Sequence, residues 1–235
     1  MCSSDLTHRN AIAFFGHNHW SVANWNMVYR YGDSLTVIQC ASCEPRGCDT
    51  LTEDGYISKA KIEGRKAGGK GRQGFVVRVY DDLLVIERRE FTGGVSSLGA
   101  DWVMPLGKYK PHPFSRDELK KVIGEPQFRD GAKLVVEDSA TPQLRVKIPL
   151  ADGNPDSRVY AYEVVVAGDA GTPKLRKAVY AAGCNMGIGH EPNGGVTTLD
   201  IPKSELPPGK TLIFAVRPLT SLGTFGKAIA TEFTA

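Results

Sequence analysis

The chain reads as mostly β, built as two units joined by one short helix. Three observations predict this. Short apolar runs of strand length recur along the chain, bounded by Gly, Pro, Asn and Asp. Two β-rich runs flank the polar pair Asp81-Asp82, as in a hairpin. Only one segment, after Pro113, carries both helix start and helix stop signals.

The elements follow in order. Residues 11–15 are a short apolar run ending at Gly16, which suits a buried strand entering a tight turn. Residues 35–40 form another. Residues 74–80 and 83–91 are the two arms of the hairpin. Between Gly64 and Gly74 lie five glycines with Arg65, Lys66, Lys70 and Arg72. This segment lacks the Gly-Lys-Ser/Thr ending of a phosphate-binding loop and precedes no helix pattern, so it reads as a solvated loop. Pro105, Gly107, Pro111 and Pro113 then punctuate the chain. Ser115 is a good N-cap, with Glu118 at the capping-box spacing. Phe114 and Leu119 take the hydrophobic-staple positions, and Gly124 and Pro126 stop the helix. Asp117, Glu118, Lys120 and Lys121 read as its solvated face. Further strands are expected at 132–136, 144–148, 159–166, 196–201, 211–216 and 228–233, which indicates an all-β sandwich. The boundaries are then 7–108 for the first unit, 109–128 for the linker helix and 129–235 for the sandwich. Residues 1–6 read as a non-native start, a translated adapter joined to coding sequence.

Composition narrows the function classes. The chain has 235 residues, 41% hydrophobic and 23% charged, which excludes collagen-like and disordered classes. A net charge of +3 without a clustered basic face gives no reason to expect a nucleic-acid partner. No apolar run approaches the roughly 20 residues that span a bilayer, so no membrane segment is expected. Cys40, Cys43 and Cys48 form a C-x2-C-x4-C cluster without a nearby fourth ligand, and Cys184 stands apart. Structural zinc needs four ligands, so these read as ordinary strand and loop cysteines whose redox state stays open. His112 and His190 read as surface or turn residues.

The chemistry concentrates in Gly16-His17-Asn18-His19-Trp20. In an extended stretch, residues two apart point the same way, about 6–7 Å apart. His17 and His19 could therefore meet two metal ions roughly 3.5–4 Å apart. Asn18 would point the other way.

This motif has telling surroundings. It follows an apolar strand and precedes a second strand, the hairpin, and then Leu98-Gly99-Ala100-Asp101-Trp102. Residues 10–106 thus resemble the C-terminal part of bacterial calcineurin-like metallophosphoesterases. Residues 129–235 resemble an appended fibronectin type III-like sandwich, on the strength of 206–219 and 223–227. Leu212 stands where that fold's corner tyrosine is expected.

The resemblance implies the C-terminal portion of an α/β metallophosphoesterase sandwich. It implies a phosphoester substrate and two divalent ions, of the Mn, Fe or Zn kind, with His17 and His19 each binding one. Asn18 and Trp20 are the candidate substrate contacts, with Trp20 reading also as an ordinary packing aromatic. It also implies an Asp-x-His, a Gly-Asp-x-x-Asp, a Gly-Asn-His-Glu/Asp and a further His upstream, none of which occurs here, and His8 is too close to replace them. The expectation is therefore an N-terminally truncated, inactive piece of a hydrolase whose partner is its own missing half. For the full-length protein, an extracytoplasmic location is expected. The competing reading is a non-catalytic cell-surface or binding module in which Gly-His-Asn-His is structural.

Sequencing the gene upstream of Asn10 separates the two. Asp-x-His and Gly-Asn-His-Glu/Asp motifs are expected there. A complete reading frame opening at Met1 would favour the binding module.

Overall fold

Alternation of apolar and polar residues sets which face of each strand turns inward, and two separate cores result. A computed structural model describes residues 11–16, 21–32, 35–40, 62–63, 72–107, 112–153, 159–169, 173–184 and 192–234. The described chain is mostly β. No described helix is long and apolar enough to cross a membrane.

The first unit contains β1 (Ala11–Phe15), β2 (Val28–Tyr31), β3 (Leu35–Gln39), β4 (Ile62–Glu63), β5 (Gln73–Val79), β6 (Leu83–Glu90), β7 (Ser96–Ser97) and β8 (Trp102–Pro105). One sheet has the order β1-β3-β2, with β1 parallel to β3 and β2 antiparallel to it. The expected hairpin is β5 and β6, and β6 also pairs with β7 and β8. One face of each sheet meets a common core: Val28 and Ile38 from the first, Leu84, Ile86, Trp102 and Met104 from the second. Helix α1 (Arg116–Ile123) closes this core with Leu119 and Ile123. The linker helix is thus a structural member of the first core.

The helix ends follow local chemistry. The Ser115 hydroxyl accepts from the Glu118 N–H at 3.4 Å, and Gly124, at φ +66°, caps the other end. The capping box is only half formed. Glu118 pairs with Lys121, and the Ser115 N–H donates to the His112 carbonyl at 2.9 Å. Phe114 and Leu119 are both buried, as a staple requires. Asp117 and Lys121 are exposed, while Glu118 and Lys120 are half-buried.

The second unit contains β9 (Gln127–Phe128), β10 (Val135–Asp138), β11 (Gln143–Ile148), β12 (Ala151–Asp152), β13 (Val159–Ala167), β14 (Pro173–Tyr180), β15 (Thr197–Pro202), β16 (Thr211–Thr220) and β17 (Ile229–Thr234). Sheets β10-β11-β15 and β17-β16-β13-β14 bury one shared core between them. Leu144, Val146, Leu199 and Ile201 meet Tyr160, Tyr162, Val164, Phe214 and Val216 there. No corner tyrosine stands at Leu212, but the Tyr162 hydroxyl accepts from the Ala151 N–H at 3.0 Å. Burial pushes that phenol up to about 12.

Three strand expectations are corrected. The strand expected at 132–136 starts at Val135, because Ala132 closes a turn onto the Arg129 carbonyl beside Gly131 at φ +76°. The last long strand continues past 216 to Thr220, since the buried Glu163 accepts an ion pair from Arg217 within it. Strand β14 was hidden by Lys174, Arg176 and Lys177. Arg176 also reaches Glu163, at 3.3 Å, and Lys177 reaches Glu205, at 2.8 Å.

The two units share a seam. Strand β4 of the first pairs in parallel with β14 of the second. Leu222, just beyond β16, belongs to the first unit's core.

His112 occupies the turn leading into α1, as a turn role requires. It is half-buried, and its Nδ1 accepts from the Phe114 N–H at 3.2 Å. Burial, and then the nearby Arg30 cation, lower its pKa below the usual histidine value. A lowered folded pKa gives a contribution complete above about pH 6.5 and lost as pH falls through the folded value. Melting temperatures of wild type and His112→Asn between pH 7.5 and 4.5 check this. The wild type should lose more stability on acidification than the variant, and parallel curves would refute the role.

Candidate functional site

The sequence places the site at the end of β1. A parallel pair brings the C-terminal ends of β1 and β3 side by side, with Phe15 opposite Gln39. The Cys40 N–H donates to the Phe15 carbonyl at 2.6 Å and fixes the chain where it leaves the strand. His17, Asn18, His19 and Trp20 lie outside the described residues, as do Cys43, Cys48, His190 and the glycine-rich segment 64–71. Gly16 was expected to permit close approach of the backbone. A Cβ added there meets nothing within 4 Å, so no described neighbour demands glycine.

The chain is described again from Ser21, and here it is held by buried polar groups. Ser21 to Asn24 form a tight turn in which the Asn24 N–H donates to the Ser21 carbonyl at 3.3 Å. Gln73, at the start of β5, is buried against it. Its Oε1 accepts from the Ser21 hydroxyl at 2.7 Å and from the Val22 N–H at 3.2 Å. Its Nε2 donates to Glu90 at 3.2 Å. On the other side, Asn24 Nδ2 donates to the Cys184 carbonyl of the sandwich at 2.9 Å.

Arg88 completes the arrangement. It lies on the same inward face of β6 as Leu84 and Ile86, and it is 0% exposed. Its Nη1 donates to the Ala23 carbonyl at 3.1 Å. Its Nε and Nη2 donate to the Ala100 carbonyl at 3.0 and 2.7 Å. The guanidinium carbon lies 5.3 Å from the Trp25 ring centroid and 5.0 Å from that of Trp102. Two indole faces and two carbonyls therefore stabilise a desolvated cation. Gly99 makes room for it. At φ +143°, an added Cβ there would lie 2.6 Å from Arg88 Nη2.

No described residue covers the other face of the β1-β3-β2 sheet. Ala11, Ala13, Phe15, Tyr29, Tyr31, Leu35, Val37 and Gln39 line a groove of about 650 Å³ that contains no charged side chain. Phe15, Tyr29 and Tyr31 are each about half exposed. Burial, and then the neighbouring Tyr31, push the Tyr29 phenol up.

The described residues contain no group of three or more His, Cys, Asp or Glu side chains placed to hold a metal ion. Burial pushes the Cys40 thiol up, away from a thiolate ligand or nucleophile. Two imidazoles are suitable donors for first-row divalent ions. No described side chain adds to them, so the donor set for two ions is not closed by these residues.

Gln73 and Arg88 were missed in the sequence. The available signal was period two: residues 84, 86 and 88 share a face, so an arginine at 88 follows two core positions.

No protein-family model matches the chain, and no curated protein matches it in sequence.

Gly99→Ala should displace Arg88 and force a side chain into a conformation that favours glycine. A loss of at least about 2 kcal/mol is expected from strain and overpacking together. Chemical denaturation checks it, and a change below about 0.5 kcal/mol, typical of neutral surface sites, would contradict the packing of Arg88 against Gly99.

Proposed function

We propose that the chain is part of a phosphoester hydrolase of the calcineurin-like metallophosphoesterase type, with His17 and His19 each a ligand to one of two divalent ions. One observation carries this: Gly16-His17-Asn18-His19-Trp20 directly follows a strand that pairs in parallel with β3. Sites in layered α/β folds gather at the C-terminal ends of such strands. Ions bound there would lower the pKa of a water and neutralise charge on the phosphoryl oxygens.

The chain's own residues take supporting roles. Asn18 and Trp20, within the motif, would contact the substrate. The uncharged face of the β1-β3-β2 sheet suits coverage by the rest of a catalytic domain, which would supply the Asp-x-His and Gly-Asn-His-Glu/Asp ligands. On this reading the chain alone is inactive. The second unit's core, buried between the sheet β10-β11-β15 and strands β17, β16, β13 and β14 of a second sheet, supports the fibronectin type III-like reading. A second reading, a non-catalytic binding module, draws on the same apolar groove, which could accept a partner instead.

The test uses the protein expressed from the complete gene, loaded with Mn2+. His17→Ala and His19→Ala should each lower bound metal and reduce hydrolysis of a generic phosphodiester by roughly 10–100-fold or more. Unchanged metal content and activity in both variants would remove the two histidines as ligands and favour the binding module.

A further inference from the structure

Between Leu219 and Leu222 the chain passes from one core to the other. Leu219 is fully buried in the sandwich core, and Leu222 is buried in the core of the first unit. Thr220 and Ser221 between them are buried as well. A segment that joins two strands normally runs over the surface. This one enters the neighbouring unit.

The turn is held at several points. The Thr220 N–H donates to the Thr224 carbonyl at 3.0 Å, and the Thr220 hydroxyl accepts from the Thr224 N–H at 3.1 Å. The Gly223 N–H donates to the Thr220 carbonyl at 3.1 Å, with Gly223 at φ +84°. Phe225 packs against the sandwich core, and the Arg217 guanidinium carbon lies 3.7 Å from its ring centroid. Arg217 is in turn paired with the buried Glu163. Gly226 abuts the linker after α1, where an added Cβ would overlap the Pro126 carbonyl oxygen. From the first unit, Asn24 reaches the Cys184 carbonyl at 2.9 Å, and both residues are buried. An apolar plug, a backbone stop and a buried hydrogen bond thus join the units. Independent domain motion would need none of these.

We propose that the sandwich acts as a clamp on the first unit. Through residues 219–226 it completes the first core, and the two units open only together. The clamp does not depend on whether His17 and His19 bind metal.

Native-state hydrogen exchange of the full 235-residue chain tests this, read at the Ile86 amide in the first unit and the Val164 amide in the sandwich. Leu119→Ala truncates the first core, and Ile201→Ala truncates the second. Each should speed exchange by roughly 30-fold or more. With the clamp in place, each should speed both amides by the same factor. Gly226→Ala pushes the turn off Pro126 without altering either core. In that chain, Leu119→Ala should speed Ile86 more than Val164. Ile123→Val and Ile201→Val read the same pattern where an alanine core variant does not fold, and Leu222→Ala replaces Gly226→Ala on the same condition. The clamp is overturned if, in the otherwise wild-type chain, Leu119→Ala speeds Ile86 alone or Ile201→Ala speeds Val164 alone. If both amides respond equally in the Gly226→Ala chain as well, the role given to the turn fails.

Discussion

Arg88 carries its charge where water does not reach it, and the first unit is arranged around that constraint. A bare buried cation would be strongly unfavourable. Here two indole faces, the Ala100 carbonyl and the Ala23 carbonyl surround it. The partners come from two stretches of chain, residues 23–25 and 100–102. Trp25 and Ala23 belong to the turn before β2, Ala100 to the loop before β8, and Trp102 to β8 itself. The guanidinium therefore ties the turn, the hairpin sheet and the loop together. The requirement for space explains Gly99, whose missing side chain lets the guanidinium lie against its backbone.

The same region connects the two units. Asn24 spans from the turn to the Cys184 carbonyl, β4 adds to the edge of the sandwich at β14, and Leu222 enters the first core. The sandwich is thus more than a neighbour on a tether. Its own strand β13 shows how tightly it is built. Tyr162 and Val164 face the shared core, while Glu163 faces the other way between Arg176 and Arg217. Among the described residues, the β1-β3-β2 sheet is covered on one face only. Its inner face buries Val28 and Ile38, and its outer face leaves Phe15, Tyr29 and Tyr31 half exposed in an uncharged groove.

Much of this was legible residue by residue, and the reasons differ. Helix α1 was readable because Ser115, Gly124 and the Phe114–Leu119 staple act within one or two turns of chain. The hairpin was readable because alternation and the Asp81-Asp82 turn are also local. Strand β14 was not, because its Arg176 and Lys177 are matched by Glu163 and Glu205, residues distant in sequence. The roles of Gln73 and Arg88 escaped for the same reason: a buried polar residue looks like a surface one until its partners are known, and their partners in the turn, Val22 and Ala23, lie 51 and 65 positions away. The histidine motif stood out by composition alone, and its four residues 17–20 lie outside those described, so its chemistry rests on sequence.

The turn after the histidine motif is a rigid, buried part of the first core. Native-state hydrogen exchange at the Val22 amide tests this most directly. Its N–H donates to the buried Gln73 Oε1, so exchange should require opening of the core and should run at the rate of the Ile38 and Ile86 amides. Exchange at the rate of an open loop would contradict the account.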